Sequence, residues 1–142
     1  MKRGYTLVEL VVSISIMAIL AALAVPLFNQ PQIDSTWFRE QVKSAVRYAQ
    51  RQAVAQRRPV FVVVTAPPTN TVKLCYVDTT CALPVQQITT GAPYTLTAPS
   101  GVALADTNFW FNGLGQPNPI TGVSFTVGSQ AVIVTAETGY VQ

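Results

Sequence analysis

Residues 1–28 read MKRGYTLVELVVSISIMAILAALAVPLF, and within them Leu7 to Phe28 form 22 consecutive residues whose only charge is Glu9. As a helix this stretch rises about 33 Å at 1.5 Å per residue, enough to cross a hydrocarbon core of about 30 Å. Lys2 and Arg3 precede it, an arrangement that holds an N-terminus on the cytoplasmic side of a membrane. Glu9 is what a plain anchor leaves unexplained. An ionised carboxylate costs about 2.5 to 3.5 kcal/mol at the centre of a membrane helix, less near its end, and a simple span has no use for one.

Two ordinary readings fit the apolar run. One is a single-pass anchor, and the other a secretory signal cut at the small-x-small site Ala22-Leu23-Ala24, ahead of Val25. Neither gives Glu9 a role. A third reading uses every feature: a short basic leader ends in Gly4, the aromatic Tyr5 follows, then Thr6, Leu7, Val8 and Glu9, and the apolar helix carries Pro26. The segment K-R-G-Y-T-L-V-E-L resembles the type IV prepilin signal shared by pilins and type II secretion pseudopilins.

The resemblance implies that prepilin peptidase cuts after Gly4 on the cytoplasmic face and that the new N-terminus, Tyr5, is methylated. Glu9 then stands fifth after the cut, and Pro26 falls where pilins carry a helix-kinking proline. Tyr5 occupies a position usually held by phenylalanine, a change within the aromatic class. The resemblance also supplies a reason for Glu9. An acid inside a membrane is costly unless it meets a cation, and cleavage creates one, the α-amino group of Tyr5, whose counterpart on the neighbouring subunit is the family's proposed assembly partner.

Composition narrows the rest. With 142 residues the chain has room for one domain beyond the apolar opening. Its 49% apolar and 11% charged residues argue against disorder. The net charge of +3 is concentrated: residues 35–58 hold Arg39, Lys43, Arg47, Arg51, Arg57 and Arg58 against Glu40, whereas residues 59–142 hold Lys73 against Asp78, Asp106 and Glu137. Histidine is absent, which removes Ser-His-Asp and Cys-His nucleophile arrangements. The acids other than Glu9 show no paired spacing, and G-L-G-Q-P reads as a turn, not a phosphate loop. No catalytic residue, metal or cofactor is expected. Cys75 and Cys81 are the only cysteines; in a chain that enters an export pathway they read as a disulfide closing a small loop, with about 2 kcal/mol from chain entropy.

Asp34, Ser35 and Thr36 read as the cap of a helix from about Trp37 to Arg57. On it Phe38, Val42, Ala45, Val46, Ala49 and Ala53 form an apolar stripe, with Arg39, Lys43, Arg47 and Arg51 every four residues on another side. Pro31 separates the two helical stretches, leaving open two helices or one long helix bent between Pro26 and Pro31. After Pro59 come short β-branched and aromatic runs, V-F-V-V-V-T, T-V-K-L-C-Y-V, Y-T-L-T, N-F-W-F, V-S-F-T-V and A-V-I-V-T-A, divided by turn residues. The expected fold is α+β and pilin-like: a long N-terminal helix, membrane-spanning and then amphipathic, packed on an antiparallel β-sheet. Its segments are a leader (1–4), a transmembrane or filament-core helix (5–30), an amphipathic helix (31–58) and a β-rich domain (59–142).

S-A-V-R-Y-A-Q-R-Q-A-V-A-Q-R-R-P-V and F-W-F-N-G-L-G-Q-P are similar to signatures of the GspH/FimT group of pilin-like proteins. The ending A-E-T-G-Y-V-Q resembles minor pilins of mannose-sensitive haemagglutinin (MSHA) pili. These resemblances imply a minor pilin in the bacterial inner membrane with a periplasmic C-terminal domain, later part of a pilus at the cell surface. Its partners would be prepilin peptidase and other pilin subunits. A minor pseudopilin of a type II secretion system is one alternative. Another is a DNA-binding minor pilin for natural transformation using Arg39, Lys43, Arg47 and Arg51. DNA-binding relatives carry an arginine-rich motif near the C-terminus, and here no basic residue follows Lys73; the stripe reads first as a solvated or subunit-facing helix side.

Overall fold

The computed structural model describes residues 6–24 and 30–142. The chain divides into two compact units, residues 1–30 and 31–142. In the first, helix α1 spans Leu7–Ala24. Thr6 starts it: its Oγ1 accepts the Glu9 N–H at 3.2 Å and its carbonyl accepts the Leu10 N–H at 3.1 Å. Threonine three residues before glutamate is the spacing of a capping box. Ser13 and Ser15 donate their hydroxyls to the carbonyls of Glu9 and Val11, so both hydroxyls are satisfied within the helix.

Every described side chain from Thr6 to Ala22 is exposed, Leu7 to 79% and Met17 to 68%. An apolar helix with these side chains exposed is suited to lipid or to other protein around it. Among the described residues no helix is long and apolar enough to cross a membrane. The 18 residues of α1 rise about 27 Å, just short of a hydrocarbon core of about 30 Å. The expected 22-residue span runs on to Phe28, and residues 25–28 lie outside the described ones, as do Gly4, Tyr5 and Pro26.

Helix α2 spans Gln30–Gln56, all but its first residue in the second unit. It starts seven residues earlier than the sequence suggests, so Asp34, Ser35 and Thr36 lie inside the helix and do not cap it. Pro31 is tolerated in a first turn, where its missing N–H would have no helical partner. Ser35 is buried at 6% exposure, and a Cβ added to Gly128 would lie 3.2 Å from the Ser35 Cβ. The small residue serves close packing here. At the other end Arg57 adopts φ 50° and Arg58 N–H reaches the Ala53 carbonyl at 3.2 Å, a left-handed termination made without glycine.

The expected stripe is the core face of α2: Phe38, Val42, Ala45, Val46, Ala49 and Ala53 are all at most 1% exposed. A five-stranded sheet supplies the other half of the core, in the order β3-β2-β1-β4-β5. Its strands are β1 (Val60–Thr65), β2 (Thr71–Cys75), β3 (Thr95–Thr97), β4 (Thr107–Phe111) and β5 (Pro117–Asn118), all antiparallel to their neighbours. Val60, Val62 and Val64 alternate inward with Val72, Leu74, Phe109 and Phe111, the two-residue period of a sheet with one covered face.

Two features depart from the expectation of one sheet of hairpins. β6 (Val123–Val127) and β7 (Gln130–Val134) form a separate two-stranded sheet, joined to the same core where Phe109 meets Phe125 at 6.1 Å between ring centroids. β5 arises within residues expected to be a turn, pairing Pro117 with Phe111 and Asn118 with Trp110. The crossing between β3 and β4 is pinned by Asn70: its side chain donates to the Val102 carbonyl at 2.6 Å and accepts the Leu104 N–H at 2.9 Å.

Cys75, at the end of β2, is joined to Cys81 by a disulfide. Within that loop the Asp78 carboxylate accepts from the Thr80 hydroxyl at 2.6 Å and the Thr80 N–H at 2.9 Å. The hydroxyl bond holds the Asp78 carboxyl below its ordinary range. Reducing the bond in wild-type protein is expected to lower stability by about 2 kcal/mol. Urea unfolding with and without dithiothreitol checks this, and an unmoved midpoint would show that the cross-link constrains nothing.

Candidate functional site

Two surfaces hold the residues singled out by the sequence. The first is the start of α1. Glu9 lies in the first turn, exposed, beside the Thr6 cap. A carboxylate there complements the positive end of a helix by about 0.3–1 kcal/mol in an exposed setting. Gly4 and Tyr5 precede it outside the described residues.

The second surface is the basic flank of α2, and the fold treats its four cations differently. Arg39 donates from Nε to the Ala131 carbonyl at 2.8 Å and pairs with Glu40 at 3.4 Å. Lys43 pairs with the same carboxylate at 2.7 Å, which holds the Glu40 carboxyl below its ordinary range. Arg47 donates from Nη2 to the Val141 carbonyl at 3.0 Å. No hydrogen bond or ion pair within the chain occupies Arg51 among the described residues. The even four-residue spacing is therefore not an even row of free charges. Half of it fastens α2 to β7 and to the residues that follow it.

Among the described residues no group of three or more histidine, cysteine, aspartate or glutamate side chains is placed to hold a metal ion. The opposite flank of α2 carries Tyr48, stacked on Tyr94 at 5.3 Å with its hydroxyl donating to the Gln86 carbonyl at 3.2 Å. That contact binds the β2–β3 connection to the helix.

Residues 1–25 match the family described as the prokaryotic N-terminal methylation motif. The fold is similar to crystal structures of the type IV minor pilin FimU of Pseudomonas aeruginosa strain PAO1. The form in space group P21 aligns with a TM-score of 0.55 at 15% identity, over 80% of this chain and 87% of that one. The P65 form gives 0.52 at 16%, over 78% and 90%. The motif covers the first 25 residues, and the likeness shows that the fold is pilin-like. No protein of curated function matches its sequence.

In this pilin-like fold the two C-terminal motifs noted in the sequence meet at one side chain the sequence does not mark. Gln50 of α2 donates from Nε2 to the Gly115 carbonyl at 2.8 Å and the Thr138 carbonyl at 2.9 Å. The first carbonyl belongs to F-W-F-N-G-L-G-Q-P and the second to A-E-T-G-Y-V-Q. Asn112 makes the first turn rigid, its Oδ1 accepting the N–H groups of Leu114 and Gln116, each at 3.0 Å. Gly139 closes the second, at φ +66°, against Gly115, Gln50 and Phe111. A glutamine on a helix flank carries no sequence signal for such a clamp, because its partners lie 65 and 88 residues away.

Proposed function

We propose that the protein is a minor pilin of a type IV pilus, a structural subunit and not an enzyme. It is made with the leader 1–4, cut by prepilin peptidase between Gly4 and Tyr5, and methylated on Tyr5. Segment 5–30 then holds it in the inner membrane with the β-rich domain in the periplasm, until filament assembly brings Glu9 to the α-amino group of a neighbour's Tyr5. The observation that carries this reading is the methylation motif over residues 1–25 on a chain with the fold of a minor pilin. The exposed apolar face of α1 supports it, since such a helix is suited first to lipid and then to the packed interior of a filament. The similar solved structures are pilus subunits, which favours a pilus, of MSHA type by its C-terminal resemblance, over a secretion machine.

Mass spectrometry of protein from its native host is the test. The expected N-terminus is N-methyl-Tyr5. A chain starting at Val25 would mean a secretory signal, and one retaining Met1 a simple anchor.

A further inference from the structure

Among the described residues, Arg47 and Arg51 of α2 have no carboxylate partner and lie together. A groove of about 460 Å³ lies between the helix and the residues after β7, lined by Ser44, Arg47, Gln50, Arg51, Tyr140 and Val141. Among the described residues no carboxylate side chain lines it. Ser44, Arg47, Arg51 and Tyr140 all carry N–H or O–H donors, and Gln50 turns its amide N–H groups away to Gly115 and Thr138. The bond from Arg47 Nη2 to the Val141 carbonyl fixes that guanidinium and leaves its other N–H groups available. Arg51 stands one turn along, and like charges four residues apart on a helix repel. An anion between them relieves that repulsion.

Resting on the filament-subunit reading, we propose that this groove is a docking site for a single acidic side chain of an adjoining pilin subunit, held by Arg47 and Arg51 with Tyr140 beside it. The guanidinium fork matches one planar carboxylate in two-point contact. A polyanion such as DNA needs several cations in a row to gain affinity by counterion release. The flank is interrupted as such a row, since Glu40 pairs with both Arg39 and Lys43 and offsets one of their two charges, and Arg39 also donates to the Ala131 carbonyl.

The full chain in detergent micelles, observed through its arginine Nε–H resonances at low salt, is titrated with acetyl-Gly-Glu-Gly-amide and separately with acetyl-Gly-Gln-Gly-amide. The glutamate peptide is expected to shift Arg47 and Arg51 saturably and the glutamine peptide to leave them in place, with the response lost in Arg51→Gln. Equal shifts with both peptides, or none with either, overturn the proposal. Tighter binding of single-stranded oligothymidylate that moves Arg39 as well overturns it in favour of a nucleic-acid track. In cells, Arg51→Glu is expected to reduce incorporation into sheared filaments by about fivefold, with Arg51→Lys close to wild type. Normal incorporation of Arg51→Glu removes the docking site and leaves the subunit reading standing. Absence of the wild-type chain from filaments removes the subunit reading, and the adjoining-subunit partner with it.

Discussion

Glu9→Ala is expected to leave the proposed cut after Gly4 intact and to lower incorporation into filaments by about tenfold or more. Processing should survive because the proposed cut lies at the Gly4–Tyr5 bond and precedes the contact proposed for Glu9. Incorporation falls because the proposed contact pairs the Glu9 carboxylate with the α-amino group of a neighbouring Tyr5 where water is scarce. Removing one member of such a buried pair costs about 3–5 kcal/mol, much of it from the uncompensated charge left behind. Even half of that exceeds a factor of ten.

Two further variants separate charge from helix capping. Glu9→Gln preserves shape and removes charge, so it is expected to fail as Glu9→Ala does. Thr6→Ala removes the hydroxyl that caps the Glu9 N–H, costs about 1 kcal/mol of helix start, and keeps the carboxylate, so it incorporates better than either. Immunoblots of sheared filaments against whole cells give the ratio. Wild-type levels of Glu9→Ala in filaments would show that the carboxylate is no assembly contact.

Gly139→Ala is expected to be the most damaging small substitution in the globular unit, at about 3–4 kcal/mol. Its φ of +66° alone costs an alanine about 1–2 kcal/mol. The new Cβ would also overlap the Gly115 carbonyl, crowd Gln50 Nε2 at 2.6 Å and press on Phe111 at 3.1 Å. The clamp from Gln50 to Gly115 and Thr138 cannot then close, and each lost hydrogen bond removes about 1 kcal/mol. For a unit of this size the total lowers Tm by about 10–15 °C. Gly91→Ala is the control, with the same φ of +66° and nothing within 4 Å of the added Cβ. It should lose only the backbone share. Equal losses at both positions, by thermal denaturation followed by circular dichroism, would mean that the clamp contributes nothing.

Signals contained within a few residues are legible in the chain itself. The buried stripe from Phe38 to Ala53 and the runs that form β1, β2, β4, β6 and β7 each declare their own period. The bond between Cys75 and Cys81 follows from closeness in the chain. What stays hidden depends on distant partners. β5 has two residues with turn composition and is a strand only because Trp110 and Phe111 lie beside it. The early start of α2 is hidden for a similar reason, since Ser35 looks like a cap until Gly128 is seen packed on it. Two sheets cannot be told from one, because alternation shows which face is buried and not which strand lies alongside: β1 pairs with β4 across more than forty residues.

The site divides along the same line. Gly4, Tyr5, Glu9 and Pro26 form a pattern whose meaning lies in spacing along the sequence, so residue order is enough for the prepilin reading, the amphipathic helix and the α+β class. Which members of the basic row remain free is a matter of tertiary structure alone. Their spacing is uniform, but Arg39 meets the Ala131 carbonyl, Lys43 meets Glu40 and Arg47 meets the Val141 carbonyl. A charge is available or engaged according to what the chain brings to it from far away, and no local period encodes that.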